Sequence, residues 1–308
     1  MNRNSDKEII QSNAKNEFWS RATIVMVTHN SEAVISSSLK GLKAAKHVIV
    51  VDNASIDSTT HELKRMLPDA KIIMNPINTG FGTAANLAFS QTETEFAFLV
   101  APDSIVDQND LIKLIEVADR WPNAAMVSPV LLTSDGRETR CHDRDLFSRK
   151  GLPQRRDQEP FPTGDLCAGF VQIAVTLIRM EALNNTGLFD SRFFLFFEDD
   201  DICIRFVKKR WELILTPSVT VRHIDGGSAG VTPAITRRRH YHMAWSRIYL
   251  EKKYRGFTPA ILLGTKHLCV FASKTIWAIL SFNKNKLTRD SARLLGTISY
   301  LFGLSTKS

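Results

Sequence analysis

Residues 22–51 read ATIVMVTHNSEAVISSSLKGLKAAKHVIVV, and this stretch decides the fold. Residues 22–28 and 47–51 are short apolar runs rich in β-branched side chains, a composition typical of buried β-strands. The segment between them, residues 31–45, has a spacing compatible with a helix. The stretch therefore predicts a strand, a helix and a second strand, the unit from which parallel sheets are built.

The same alternation continues along the chain. A helix-compatible segment at residues 58–67 leads to an apolar run at 70–74, and another at 84–91 leads to a run at 96–100. Repeated alternation predicts an α/β fold, with a central, mostly parallel sheet and helices on both faces. Ligands of such sheets bind at the carboxyl ends of the strands, so the residues after each strand are candidate site residues.

Small, polar and acidic residues follow all four predicted strands, at positions 28–30, 52–55, 75–82 and 101–104. Each segment is weak evidence alone, because turns are generally rich in Asn, Asp and Gly. For Asp52 an Asx turn or a helix cap is an equal alternative. Four such segments at one edge of a sheet nevertheless indicate a ligand site.

An acidic run and a His- and Gly-containing segment lie further along the chain. Residues 196–201 read FFEDDD, and residues 222–228 read RHIDGGS. Four consecutive carboxylates repel one another unless a cation or a proton relieves them. A divalent cation or a cationic ligand held between the acids and His223 would supply that relief. Residues 200–209 predict a helix, whose positive end suits acids in its first turn.

The remaining segments before residue 222 predict less regular structure. Residues 132–164 are rich in turn-forming and charged residues, which indicates an insertion or a mobile loop. Strands are predicted at residues 170–178, 211–216 and 219–221, and the last of these leads to His223.

The composition is that of a globular protein with one large or two smaller domains. Of its 308 residues, 44% are hydrophobic and 23% are charged. The four cysteines show no CxxC spacing, which argues against a zinc knuckle or a disulfide framework and favours a reducing cytoplasm. Residues 1–20 lack the apolar run of a secretory signal, so we expect a flexible leader and no export.

Positive charge is concentrated in the C-terminal part. Residues 230–308 carry a net charge of +12, whereas the rest of the chain carries −4. Such a segment could bind nucleic acid, anionic lipid or an anionic substrate, and its aliphatic content makes nucleic acid the least favoured of these. Within residues 257–282 the basic and polar side chains share one sector of a helical wheel, which is typical of a helix in a membrane interface. A helix packed on the protein's own core is an equal alternative.

Taken together, these segments resemble the family 2 glycosyltransferases, inverting enzymes with the GT-A fold, and among them the rhamnosyltransferase-like branch. The resemblance covers residues 22–255 and is carried by VTHN (27–30), VDNASIDST (51–59), NPINTGFGTAAN (75–86), APD (101–103), FDSRFFLFFEDDDICIR (189–205) and RHIDGGS (222–228). It implies a GT-A domain at 21–255, which the flexible leader at 1–20 precedes. The amphipathic, basic helical region at 256–308 follows it, with membrane association and packing on the domain as its two alternatives.

The resemblance also implies roles for individual residues. Asp199 would be the general base, with Glu198, Asp200 and Arg222 in supporting or acceptor-side positions. A nucleotide-sugar donor would be bound by Thr28, Asn30, Asp52, Asn53, Asn78, Gly80 and Asp103.

A divalent cation, Mg²⁺ or Mn²⁺, is the implied cofactor. Asp103 corresponds to the last acid of the family's DxD motif, and His223 to a position that adds a nitrogen ligand. This sequence departs from the motif because Ala101 stands where its other acid is expected. Asp103 and His223 would therefore hold the cation on the donor diphosphate by themselves.

The implied activity is hexosyl transfer with inversion. The expected donor is dTDP-L-rhamnose, and the expected acceptor is a lipid-linked or growing cell-surface polysaccharide at the cytoplasmic face of the inner membrane. A UDP-hexose donor is one alternative. A nucleotidyltransferase and a non-catalytic sugar-nucleotide-binding protein are others, although the former would show a basic, glycine-rich loop where residues 28–30 read THN.

Overall fold

The computed structural model describes residues 19–43, 45–148, 159–224 and 232–304. The chain forms two compact units. The first comprises Met1–Asn78, Ala84–Leu188 and Ile202–Ser228, and the second comprises Thr79–Thr83, Phe189–Asp201 and Ala229–Ser308. All but the last two residues of the predicted leader lie outside the described residues, as do residues 225–228 of the RHIDGGS segment.

The first unit contains the β-strands. In chain order they are β1 (Ala22–Thr28), β2 (Val48–Asp52), β3 (Lys71–Met74), β4 (Phe96–Val100), β5 (Ser104–Ile105), β6 (Ala124–Leu132), β7 (His142–Asp143), β8 (Leu166–Ala168), β9 (Phe170–Val171), β10 (Val175–Arg179) and β11 (Glu212–His223). Its helices are α1 (Glu32–Lys40), α2 (Thr59–Met66), α4 (Gln108–Arg120) and α5 (Met180–Thr186). Two further helices, α3 (Phe81–Phe89) and α6 (Glu198–Lys208), contain residues of both units.

A nine-stranded sheet forms the core of the first unit. Its order is β3-β2-β1-β4-β10-β6-β11-β5, and β8 pairs with β11. The neighbours among β3, β2, β1 and β4 are parallel, which confirms the four strands predicted from the sequence before residue 101. β1, β2 and β4 are buried throughout, as expected for strands covered on both faces. The sheet becomes mixed beyond β4, where β10 is antiparallel to its neighbours.

Two predicted strand boundaries differ from the structure. Residues 170–178 do not form one strand; they form β9 and β10, and the former pairs with β7 in a separate two-stranded sheet. Conversely, the runs at 211–216 and 219–221 belong to the single strand β11, with an irregular register between Thr216 and Thr220. Pro217 lies at this irregularity, consistent with proline's missing N–H group.

Three long helices dominate the second unit: α7 (Pro233–Arg255), α8 (Phe257–Leu280) and α9 (Lys284–Leu301). α7 begins after Thr232, whose hydroxyl accepts a hydrogen bond from the Ile235 N–H at 3.2 Å. α8 and α9 pack closely at Gly264, where a Cβ atom would lie 2.8 Å from the Leu301 side chain. Among the described residues, no helix has the length and apolar character that crossing a membrane requires.

Candidate active site

Asp52 organises the ends of β1 and β2 in the first unit. The register places Thr28 beside Asp52, and the Thr28 hydroxyl donates to Asp52 Oδ1 at 2.9 Å. Ser55 donates twice, from its hydroxyl to Oδ1 at 2.6 Å and from its N–H to Oδ2 at 2.9 Å. Asp52 is fully buried, so these bonds compensate its desolvation. The Asx-type turn is therefore present, and a contact of Asp52 with a donor remains a prediction.

Amide side chains link the loop after β3 to this turn. Asn53 donates through Nδ2 to Asn78 Oδ1 at 3.0 Å, and its Oδ1 accepts from Asn75 Nδ2 at 3.0 Å. Asn30 joins from the first strand, since its Oδ1 accepts from the Ile56 N–H at 2.9 Å. Five predicted donor residues are thus tied into one polar network at the carboxyl ends of β1, β2 and β3: Thr28, Asn30, Asp52, Asn53 and Asn78.

Unusual backbone geometry accompanies this network. Asn30 has a φ of 51° and Ala54 a φ of 64°, the left-handed region that costs energy for residues other than glycine. The Asn30 N–H donates to the Ser55 hydroxyl at 2.8 Å, which helps to hold the strained turn. Such strain concentrates at binding and catalytic sites, so it supports a ligand-binding role for this edge.

Asp103 and His223 form a second polar pair of the first unit. β5 and β11 are antiparallel with Ser104 opposite His223, and this register brings His223 Nε2 to 3.3 Å from Asp103 Oδ1. The Asp103 carbonyl also accepts from the Ile224 N–H at 3.0 Å. Both side chains are largely buried. The sequence prediction that these residues act together is consistent with this pairing.

The pair offers one carboxylate oxygen and one imidazole nitrogen, and the described residues contain no cluster of three or more acids, histidines or cysteines suited to a metal. Mg²⁺ is commonly held by one or two carboxylates plus substrate phosphates and water. An Asp–His pair therefore fits a cation that is bound together with a diphosphate, and does not resemble a closed structural metal site.

In the second unit, the loop before α6 packs against Gly80. Gly80 has a φ of 86°, and a Cβ atom on it would lie 2.3 Å from the Phe194 carbonyl oxygen. The same oxygen accepts from the Phe81 N–H at 3.2 Å. Close backbone packing thus explains the glycine at this position, and its predicted role in donor binding is untested.

Phe196 and Phe197 immediately precede the acidic run, with φ values of 67° and 68°. Two successive non-glycine residues in the left-handed region are uncommon and costly, and they turn the chain sharply into α6. The helix begins at Glu198, so all four acids lie in its first turn. The Asp200 N–H donates to Asp199 Oδ1 at 3.1 Å, as expected at the positive end of a helix.

Glu198 and Asp199 have unusual protonation behaviour. Burial raises the pKa of Glu198 strongly, and the charges of Asp199 and Asp200 raise it further. Burial also raises the pKa of Asp199, but less, because backbone N–H groups stabilise its charged form. Glu198 Oε2 is buried with no hydrogen-bond partner among the described residues. Burial and mutual repulsion therefore disfavour a double charge on the pair, and Asp199 is the more easily ionised of the two carboxyl groups.

The sequence predicted no role for the contacts that anchor this loop to α7. Lys253 Nζ lies 2.8 Å from Asp190 Oδ2 and 2.5 Å from Asp201 Oδ1. The Tyr254 hydroxyl donates to Asp201 Oδ1 at 2.7 Å. Asp201 is therefore a buried, paired structural acid. Local sequence patterns carry no signal for a contact between residues more than 50 positions apart.

The remaining predicted site residues divide between the units. Arg222 lies on β11 of the first unit, where it is paired in register with Ile105 of β5. Asp200 lies with Glu198 and Asp199 in the second unit, half-buried in the first turn of α6. The supporting or acceptor-side roles of Arg222, Glu198 and Asp200, and the role of Asp199 as base, stay predictions.

Residues 23–178 match the family model described as glycosyl transferase family 2, and this match covers just over half of the chain. The chain belongs to this family. It is a glycosyltransferase, so the nucleotidyltransferase and non-catalytic alternatives are set aside.

Curated relatives of this glycosyltransferase occur in Mycobacterium tuberculosis. In strains CDC 1551 and H37Rv, the protein described as N-acetylglucosaminyl-diphospho-decaprenol L-rhamnosyltransferase is 24% identical over 271 residues. The alignment covers 79% of this chain and 88% of the relative. The resemblance to the rhamnosyltransferase-like branch is thereby supported.

Solved structures agree on the fold. A mannosyltransferase from Pyrobaculum calidifontis, in complex with GDP-Man and Mn²⁺, has a TM-score of 0.53 at 14% identity, covering 92% of this chain and 87% of that one. S. aureus TarS 1–349 has a TM-score of 0.50 at 15% identity, with 93% of both chains covered. The glycosyltransferase therefore has a GT-A type of α/β fold with a C-terminal helical region.

Proposed function

We propose that this glycosyltransferase moves L-rhamnose, with inversion, from dTDP-rhamnose to a lipid-linked or growing cell-surface polysaccharide acceptor. The observation that carries the proposal is the Glu198–Asp199 pair at the start of α6. Burial and mutual repulsion disfavour a double charge on this pair, and its more easily ionised member is Asp199, the residue that the family resemblance assigns as base. The name of the mycobacterial relatives supports the choice of sugar and of a lipid-linked acceptor.

In the proposed reaction, Asp199 accepts the proton of an acceptor hydroxyl. The hydroxyl oxygen attacks the anomeric carbon of the sugar, and the bond from that carbon to the diphosphate oxygen breaks on the opposite face. The electron pair leaves with the nucleoside diphosphate, and the configuration inverts. A base with a raised pKa suits this step, because general bases work best near the operating pH.

The donor would bind at the edge of the first unit. Thr28 and Asp52 hold the turn after β2 in shape, and Asn30, Asn53 and Asn78 supply amide groups and ordered loops for the nucleotide. Gly80 and Asp103 complete the proposed donor set. A preorganised polar network of this kind lowers the cost of ordering the site when a ligand binds.

Asp103 and His223 would hold a Mg²⁺ or Mn²⁺ ion, and Mn²⁺ is present in the complex of the P. calidifontis mannosyltransferase. When bound, the cation would neutralise charge on the departing diphosphate. Arg222 precedes His223 on β11 and is the proposed additional cation near that diphosphate.

A lipid-linked acceptor lies in a membrane, so we place the transfer at a membrane surface, on the cytoplasmic face where nucleotide sugars would be available. The supporting observations are the decaprenol in the relatives' name and the basic C-terminal region. Glu198 and Asp200 flank the base and would contact or orient the acceptor hydroxyl.

A panel of nucleotide sugars tests this proposal. The full chain is incubated with dTDP-rhamnose, UDP-glucose, UDP-galactose or GDP-mannose, with and without a polyprenyl-diphosphate-linked N-acetylglucosamine acceptor, and nucleoside diphosphate release is measured. We expect acceptor-dependent release from dTDP-rhamnose. Acceptor-dependent release only from a UDP-hexose would show that the donor is a UDP-hexose and not dTDP-rhamnose. Release from none of the donors would contradict the proposed activity.

A further inference from the structure

Helix α8 is oriented with its small residues toward the protein and its large apolar residues toward solvent. Ala260, Gly264 and Ala278 are buried, and on a helix with about 100° per residue they share one narrow sector. Leu262, Cys269, Ile276 and Leu280 fall roughly opposite to them and are exposed. The small residues of α8 are thus its buried side, whereas Leu262, Ile276, Trp277 and Leu280 are left largely exposed.

The exposed fractions are large. Leu262 and Leu280 are each 67% exposed, Ile276 is 57% and Trp277 is 66% exposed. Phe282, in the turn between α8 and α9, is 92% exposed. We call Leu262, Cys269, Ile276, Trp277, Leu280 and Phe282 the α8 outer face. Large apolar side chains exposed on one side of a helix, with the exposed polar residues Thr265 and Ser273 among them, are typical of an interaction surface.

The charges around this face have one sign. Residues 252–289 contain eight Lys and Arg residues and no Asp or Glu. On α8, Lys266 lies within the sector of the outer face and Lys274 lies beside it, and Lys284 and Lys286 follow Phe282 in the first turn of α9; all four are exposed. A second copy docked through the same patch would bring these cations against one another, which disfavours self-association.

We infer that the α8 outer face docks on an anionic lipid bilayer, with α8 lying in the plane of the interface. Bulky apolar side chains with a tryptophan and a rim of lysines are the composition of interfacial helices. Each lysine near an anionic surface adds to the attraction. The inference deepens the proposed function, because it assigns the surface by which the enzyme meets the membrane that holds its acceptor.

Vesicle flotation with the full chain tests the inference. We expect binding to vesicles of phosphatidylcholine mixed with phosphatidylglycerol and much weaker binding to phosphatidylcholine alone. Leu262→Gln/Leu280→Gln should reduce binding to the mixed vesicles by about tenfold or more, since two apolar side chains lose their burial in lipid. Lys266→Gln/Lys274→Gln should reduce only the response to anionic lipid and to salt.

A matched control uses exposed apolar residues of the first unit. Met74→Gln/Val207→Gln removes comparable exposed side chains and should leave binding unchanged. Circular dichroism and melting temperature verify that the α8 variant is folded. Trp277 should also shift its fluorescence to the blue with anionic vesicles, and Trp277→Phe should abolish that shift.

Three outcomes would overturn the inference: no vesicle binding by the wild type, undiminished binding by the α8 variant, or an oligomer of the wild type that the α8 variant dissociates. Sugar transfer to a short-chain, water-soluble acceptor separates this inference from the proposed function. Vesicle binding without any sugar transfer would contradict the proposed function alone, and transfer without vesicle binding would contradict the docking surface alone.

Discussion

Four consecutive acids at the start of α6 differ in their environments, although the sequence presents them alike. Asp201 is fully buried and pairs with Lys253, so its role is structural. Burial and the neighbouring acids raise the pKa of Glu198 strongly, whereas burial raises the pKa of Asp199 less because backbone N–H groups stabilise its charged form. The sequence could indicate that the run is functional. The different roles of the four acids depend on how deeply each is buried and on contacts with α7, and local sequence patterns reveal neither.

Glu198→Gln tests whether Glu198 acts as a neutral neighbour of the proposed base Asp199. Glutamine resembles the neutral acid, so we expect transfer within roughly tenfold of wild type, whereas loss of a general base costs about 10²–10⁴-fold. In the proposed mechanism, activity requires ionised Asp199. It should therefore fall as pH drops through the pKa of Asp199, which burial raises above the ordinary value of about 4.

The pH profile of kcat/KM provides the measurement. Because burial raises the pKa of Glu198 above that of Asp199, we expect the replacement of Glu198 to leave the acid limb where it is in the wild type. A limb displaced to lower pH in the variant, or a loss as large as that of a missing base, would show that Glu198 carries charge in the working enzyme.

Among the elements, periodicity located β1 to β4 because these strands are short, mostly apolar runs that alternate with helix-compatible segments; β1, β2 and β4 are buried throughout. It did not locate β6, whose sequence AAMVSPVLL contains Pro129, a residue that argues against a central strand. β6 is nevertheless central, between β10 and β11. β6 forms a strand because it pairs with β10 and β11, and such pairing with distant parts of the chain is not visible in a short segment of sequence.

The attachment of α7 to the acidic loop gives a prediction at this scale. Lys253→Met leaves the buried Asp201 without its cation and should lower the free energy of unfolding by about 3 kcal/mol. The adjacent Lys252→Met is the matched control, because Lys252 is exposed and forms no ion pair among the described residues; a change within about 0.5 kcal/mol is expected. Denaturant unfolding of both variants checks this.

Acid should weaken the same attachment. Burial would raise the pKa of Asp190, but hydrogen bonds from Arg192 and Lys253 outweigh this effect and hold the pKa of Asp190 below its ordinary value. Asp190 therefore contributes stability above the unfolded pKa of about 4, and the contribution is lost as pH falls through the lower folded value. A Lys253→Met variant as stable as Lys252→Met, or equally sensitive to acid as wild type, would contradict this account.

For the molecule as a whole, charge and apolar surface are unevenly distributed. Residues 230–308 carry +12 and include the α8 outer face, while the rest of the chain carries −4 and includes the polar network at the ends of β1, β2 and β3. The helical wheel predicted an amphipathic helix at 257–282, but could not tell which sector the protein covers. That choice depends on the small residues through which α8 packs against its neighbours.

Ligand-dependent melting tests donor and cation binding in the intact protein. A nucleoside diphosphate at 100 times its Kd adds about 2.7 kcal/mol of stability. With Mn²⁺ present, we expect dTDP to raise the melting temperature more than UDP or GDP, and Asp103→Asn or a chelator to abolish most of the increase. An increase that survives both treatments would mean that protein groups, such as Arg222, carry the diphosphate charge without a cation.

The rate of sugar transfer by Asp199→Asn tests the central claim most directly. The substitution preserves the shape of the side chain and removes the proton acceptor. With dTDP-rhamnose and the lipid-linked acceptor, kcat should fall by about 10²–10⁴-fold while the Kd of the donor is unchanged. A variant that transfers the sugar as fast as wild type would contradict the assignment of Asp199 as the base.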